Sequence, residues 1–148
     1  MITLMFKVLF CSPLLSLMLQ NRKPQIVLRG KVYLLNSCST CKRILKQVKL
    51  FGEFEVRDIK AEPLNIEEVD SLATRAGGYE RIFNKQSQKY RQQKLKDKNL
   101  SEENYRQLLT EEYTFLKRPI FFIDDKIFVG NGKATIDLLT KYLVSTSK

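Results

Sequence analysis

A chain of 148 residues, 43% hydrophobic and 28% charged, fits one globular domain with one core and is too apolar for wholesale disorder. Its 26 Lys+Arg against 16 Asp+Glu leave a net charge of +10, which favours anionic partners: nucleic acid, an acidic protein face, an anionic membrane surface or a small oxyanion. With no histidine and three cysteines, Ser-His-Asp catalysis, Cys-His catalysis, imidazole-bound zinc and a four-thiolate zinc site are all excluded.

Val8 to Leu19 is an apolar run interrupted by Pro13 and preceded by Lys7. It falls short of the roughly 20 residues that span a bilayer. It has the length of a secretory h-region but no small-x-small cleavage site ahead of Gln20-Asn21-Arg22-Lys23. Residues 1–29 therefore read as an extension, weakly signal-like, disordered or preceding a later start such as Met18, with the folded domain spanning 30–148. Cys11, remote from the other two cysteines, does not make a secreted disulfide framework. The cysteine usage points instead to a reducing compartment, the cytoplasm.

Val32-Tyr33-Leu34-Leu35 is a short strand-type run. After Asn36-Ser37 come Cys38-Ser39-Thr40-Cys41 and a helical pattern through Phe51, closed by Gly52. Phe54 to Ile59 alternates as a second strand. Asn65 with Glu68 predicts a capped helix carrying Ile66, Val69 and Leu72, stopped at Gly77-Gly78. Tyr79 to Leu95 reads as a polar helix, and Ser101 opens another with Tyr105, Leu108 and Leu109. Arg118-Pro119 precedes the strand Ile120–Ile123, which turns at Asp124-Asp125 and returns as Lys126 to Val129. Gly130-Asn131-Gly132 leads to a last helix with Ile136, Leu139 and Leu143. The order is β-α-β, several helices, then β-β-α: an α/β domain with a mixed sheet, four strands and a helical insertion.

The chemistry is expected at Cys38 and Cys41, between a strand end and a helix start. Free N–H groups and the helix dipole there stabilise a thiolate, and Lys42 and Arg43 add cationic charge. Two intervening residues bring both sulfurs within reach, so Cys38 would attack and Cys41 would resolve the adduct. Packing of two buried cysteines is the competing explanation. Arg118-Pro119 is the second element. A cis bond there would turn the Arg118 fork towards the cysteine loop, where it suits an oxyanion or a carboxylate. The third is Lys85 to Lys98, where Lys85, Lys89, Arg91, Lys94, Lys96 and Lys98 face only Asp97. It reads as a solvated helix face, with a docking face for an acidic partner or nucleic acid as the alternative. Tyr90 alone is too little for a stacking platform.

Taken together, these features resemble the ArsC/Spx family of glutaredoxin-linked arsenate reductases and Spx redox regulators. The likeness runs from about Lys31 to Leu143. It rests on Lys31-Val32-Tyr33 before Cys38-Ser39-Thr40-Cys41-Lys42, on Glu62-Pro63-Leu64-Asn65-Ile66-Glu67-Glu68, on Arg118-Pro119-Ile120 and on Val129-Gly130. The resemblance implies a thioredoxin-like fold, Cys38 as nucleophile and Arg118 as the oxyanion-contacting arginine before a cis-proline. Lys42, Arg43, Pro119 and Gly130 would then line the substrate, a small oxyanion or a disulfide. No bound cofactor or metal is implied. Glutathione with glutaredoxin, or thioredoxin, would supply electrons. Where the arsenate reductases have two further arginines, the resemblance places Asn84 or a close neighbour, and Gly130, which weakens a doubly charged oxyanion site. Cys41 matches the CxxC of Spx, and Gly78 falls near the glycine that Spx proteins use against RNA polymerase. A redox regulator docking on the polymerase alpha subunit, without direct DNA or membrane binding, is thus the alternative to a thiol-dependent oxidoreductase.

Overall fold

The computed structural model describes residues 28–48, 50 and 52–146. The expected extension and Cys11 lie outside them, save that Leu28 is buried and Arg29 opens the first strand.

Strand β1 (Arg29–Leu34) leads through a tight turn into helix α1 (Ser39–Gln47), and β2 (Glu53–Asp58) returns parallel to β1. An insertion follows: α2 (Ile66–Ala76), α3 (Tyr79–Ile82), α4 (Gln88–Gln92), a 3-10 turn at Leu95–Asp97, α5 (Glu102–Glu111) and a second 3-10 turn at Tyr113–Phe115. The hairpin β3 (Ile120–Ile123) and β4 (Lys126–Val129) completes the sheet, and α6 (Lys133–Thr146) packs back on it. The strand order is β2-β1-β3-β4, with β1 antiparallel to β3 and β3 to β4. This is the expected mixed four-stranded sheet.

Alternation along the strands divides the core in two, because successive side chains in a strand point to opposite faces. Val32 and Leu34 of β1, with Phe121 and Ile123 of β3, pack against Cys41 and Ile44 of α1 and Ile136, Leu139 and Leu143 of α6. The intervening Tyr33 and Ile120 face the insertion, where Val69, Leu72, Phe83, Tyr105, Leu109 and Phe115 form the second cluster. The Phe83 ring lies flat on Phe115 at 5.0 Å and edge-on to Tyr105 at 4.8 Å. The two faces require both a helix pair and an insertion, so neither layer is dispensable.

Local chemistry sets the helix limits. The Asn65 side chain accepts from Glu68 N–H (2.8 Å) while Glu68 accepts from Asn65 N–H (3.0 Å), a reciprocal cap worth about 1 kcal/mol. Glu68 also pairs with Arg57, tying β2 to the start of α2. Gly77 takes a left-handed φ of 85° to end α2. Asp70 then receives Arg106 of α5 at 2.7 and 2.8 Å, which locks α2 to α5.

Two expectations need correction. Helix α1 closes at Gln47 rather than running to Phe51, because Val48 is extended and buries its side chain beside Leu28 and Ile44. The stretch Tyr79–Leu95 is not one helix. Phe83 leaves α3 to bridge with Leu116, Ser87 caps a separate α4, and Lys94 adopts a left-handed φ of 51° before the 3-10 turn. Edge strand β2 is largely exposed and joined across to β1 by Arg29–Glu53 (3.2 Å) and Lys31–Glu55 (3.3 Å).

Candidate active site

β1 ends at Leu34, and the turn is closed by Cys38 N–H donating to the Leu35 carbonyl (2.9 Å). Cys38 is the N-cap of α1 with extended dihedrals, and its carbonyl accepts from Lys42 N–H (3.2 Å). The cysteine side chain therefore stands at the helix start rather than on its flank. Cys38 is half-buried, whereas Cys41, one turn along, is 1% exposed and packed among Leu34, Ile44 and Leu139.

The two thiols are driven apart in acidity. Burial pushes Cys38 up, but the Cys41 N–H, the Cys41 thiol, the Thr40 N–H and the charge of Arg118 outweigh it and hold Cys38 below its ordinary value. The Thr40 and Cys41 amides face the sulfur without closing a full capping hydrogen bond, as suits a neutral thiol that a thiolate would replace. Burial raises Cys41, and proximity to Cys38 adds to the rise against a backbone hydrogen bond at Leu35 and the Arg118 charge. One sulfur is thus prepared to ionise while its neighbour holds its proton.

Arg118 precedes a cis peptide bond to Pro119. Its Nη1 donates to the Thr114 carbonyl at 3.5 Å. The same oxygen accepts Asn84 Nδ2 at 3.5 Å, and Asn84 N–H donates to the Phe115 carbonyl at 2.6 Å. Gly130, with φ of 89°, donates its N–H to the Pro119 carbonyl at 2.9 Å, and a Cβ there would meet nothing within 4 Å. The structure thereby brings together Cys38, Cys41 and Arg118, seats Pro119 against Gly130, and sets Asn84 beside the Arg118 anchor. Lys42 and Arg43 stand exposed on α1 without a salt bridge among the described residues, and the charge acting on Cys38 is that of Arg118. Gly78, between α2 and α3, has a φ of 137°, and a Cβ there would meet Glu102 Oε2 at 3.2 Å. Thr114 was not foreseen. Its role is a main-chain carbonyl delivered by a bridge between distant segments, which leaves no mark on residue type. No group of acidic, cysteine or histidine side chains able to hold a metal occurs among the described residues. No helix among them is long and apolar enough to cross a membrane.

The ArsC family pattern matches residues 33–138, from the end of β1 into α6. The chain belongs to the ArsC family. YusI, an uncharacterized protein of Bacillus subtilis strain 168, is 31% identical over 97 residues, which cover 63% of this chain and 82% of YusI. Among solved structures, a Streptococcus mutans UA159 protein described as a possible arsenate reductase superposes with a TM-score of 0.59 and 29% identity, covering 74% of this chain and 96% of its own. The arsenate reductase of Vibrio cholerae, at 17% identity, gives a TM-score of 0.61 over 76% of this chain and 97% of its own, which shows the shared thioredoxin-like fold. The ArsC-family segment contains the whole cysteine loop, the insertion and Arg118.

Proposed function

We propose that this ArsC-family chain is a thiol-dependent oxidoreductase working through the pair Cys38 and Cys41. The observation that carries the reading is the placement of the pair: half-buried Cys38 caps the N-terminus of α1 with Cys41 buried one turn along, where the helix-start amides and the Arg118 charge favour a thiolate at Cys38. The Cys38 thiolate attacks the substrate, a disulfide sulfur or the central atom of a small oxyanion, and a thiolate or water leaves. Arg118 steadies the negative charge of the bound group. Cys41 then gives up its proton and attacks Cys38 Sγ. The new S–S bond forms as the Cys38–substrate bond breaks, and the departing group keeps the electron pair. Two cysteines are oxidised and the substrate is reduced by two electrons. A dithiol donor of the glutaredoxin or thioredoxin type, or glutathione, restores both thiols.

Among the described residues Arg118 is the guanidinium whose charge acts on the cysteines, with Asn84 and Gly130 where a multiply charged oxyanion would want further forks. A disulfide or a singly charged oxyanion suits this site better than arsenate. A redox regulator docking on RNA polymerase alpha is the competing reading, and it leans on Cys41 and Gly78. The backbone of Gly78 already accounts for a glycine there. The test is thiol labelling read by mass spectrometry across a glutathione redox titration, on wild type and Cys41→Ser, with arsenate and disulfide turnover run in parallel. Fast labelling of Cys38 near neutral pH and a reversible Cys38–Cys41 disulfide are expected. An inert Cys38 with no disulfide would reduce the pair to core packing. A disulfide that forms without any turnover, yet alters alpha-subunit binding, would transfer the protein to the regulators.

A further inference from the structure

The helical insertion carries a cationic cavity. It is an open depression of about 500 Å³ lined by Lys85, Arg91, Lys94 and Lys96 with Tyr90 and Asp97. Its floor is firm. Leu95 is 3% exposed, Ser87 caps α4 by accepting from Tyr90 N–H (3.2 Å), and the Tyr90 ring meets Phe83 edge-on at 6.0 Å. Lys94, with its positive φ, reverses the chain so that Lys96 comes back onto the same cavity as Arg91. Lys85 is matched by Glu80, while Arg91, Lys94 and Lys96 have no acidic partner among the described residues. The depression thus gathers four exposed cations around one acid, Asp97.

A line of hydrogen bonds joins this cavity to the cysteine site. Arg91 Nη2 donates to the Gln86 carbonyl (3.0 Å), and Gln86 N–H donates to Asn84 Oδ1 (3.1 Å). Asn84 Nδ2 and Arg118 Nη1 then share the Thr114 carbonyl (3.5 Å each). Whatever sits on Arg91 is thus beside the framework that holds Arg118.

On the reading of Cys38 and Cys41 as a redox pair, we infer that this cavity is the docking site for an acidic segment of the dithiol protein that reduces their disulfide. The cations are all exposed and mostly lysines, so they do not converge as buried donors on one small ligand. They suit carboxylates spread along a polypeptide. A nucleic-acid backbone fits less well: the only aromatic presents no free stacking platform, and Asp97 interrupts the field where a protein partner can place a lysine. In the reaction, one donor thiolate attacks Cys38 Sγ and Cys41 leaves as a thiolate that takes a proton. The second donor thiolate attacks the mixed disulfide, freeing Cys38. The donor ends as a disulfide, and two electrons and two protons have passed to the chain.

The test uses two synthetic donors, each a Cys-x-x-Cys dithiol on a flexible ten-residue linker, about 33 Å when extended. One ends in eight glutamates and the other in eight serines. The oxidised full chain and its Arg91→Glu/Lys94→Glu/Lys96→Glu variant are reduced by each, and loss of the Cys38–Cys41 disulfide is followed. At low ionic strength the wild type is expected to react with the glutamate donor at least about tenfold faster than with the serine donor, a preference that shrinks towards unity in about 0.5 M salt. The variant is expected to lose it. Equal rates in the wild type, or a preference that survives in the variant, overturns the docking site and leaves the redox pair standing. A mixed-sequence oligonucleotide that displaces the glutamate donor and binds more tightly through the same three residues also overturns it. Failure of any disulfide to form under oxidised glutathione removes the redox reading and this inference together.

Discussion

Phe83 links the stability of the insertion to the geometry of the site. Its side chain is 0% exposed and touches three rings, with centroids of Phe115, Tyr105 and Tyr90 at 5.0, 4.8 and 6.0 Å. The next residue, Asn84, bonds the Phe115 main chain and the Thr114 carbonyl that anchors Arg118. Truncating a buried phenylalanine costs about 3–5 kcal/mol, and loss of the ring pairs places Phe83→Ala near the top of that range. Against a total of about 5–15 kcal/mol this is a large share, and it corresponds to a fall in Tm of about 15–20 °C. Phe83→Leu keeps most of the volume and should cost only about 1–2 kcal/mol. It removes the flat stack on Phe115, so Thr114 and with it Arg118 lose their seat. Urea denaturation gives the stability difference, and the pH profile of Cys38 alkylation reports the site. We expect Phe83→Leu to remain folded yet shift that profile to higher pH. A cost for Phe83→Ala below about 2 kcal/mol, or an unmoved profile in folded Phe83→Leu, refutes the coupling of core to site.

Arg118→Gln should also raise the Cys38 thiol and slow its alkylation at neutral pH by several-fold, since the guanidinium charge favours the thiolate; faster alkylation would contradict this. The linkage has a definite sign. A thiol lowered by folding contributes stability that is full above its unfolded value and lost as pH falls through the lower folded value, so wild type should gain on Cys38→Ser as pH rises from neutral towards the ordinary thiol range. Denaturant melts at a series of pH values check it, and a gain in the acid direction would be the wrong sign. Gly52→Ala combines a φ of 123° with a methyl pressed on the Leu28 carbonyl, and should cost about 2–4 kcal/mol by urea denaturation. Glu68→Ala removes half the α2 cap and one of the two carboxylates on Arg57, whose side chain is 16% exposed and keeps Glu62, for about 2 kcal/mol by the same measurement.

The legible parts of this molecule are those governed by neighbours in sequence. Asn65 and Glu68 lie three apart and cap each other, Asp124 and Asp125 turn the hairpin, and Cys38 and Cys41 mark the start of α1. Arg118 before Pro119 was visible for the same reason. What escaped depends on distant contacts. The polar stretch after Tyr79 has helical composition, yet Phe83 is drawn into a bridge with Leu116 and into an aromatic cluster assembled from α5 and the 3-10 turn at Tyr113–Phe115. The shared Thr114 carbonyl belongs to the same category, since any residue could supply it. Charge was also misleading at short range. Lys42 and Arg43 adjoin Cys41 in sequence but point to solvent, while the cation that acts on both thiols arrives from the far side of the insertion.

The exposed strand β2 bears on how this chain behaves in company. A sheet margin offers unpaired amide and carbonyl groups to any second copy, and an apolar margin would recruit one. Here the margin alternates Glu53, Glu55 and Arg57, each already engaged, by Arg29, Lys31 and Glu68 in turn. A copy approaching along β2 would meet charged side chains on this face rather than an apolar row. Val56 lies on the opposite face of the strand, between Phe54 and Asp58, and there it stands 48% exposed, so the two faces of this margin offer a second copy different chemistry, paired charge on one and an apolar side chain on the other.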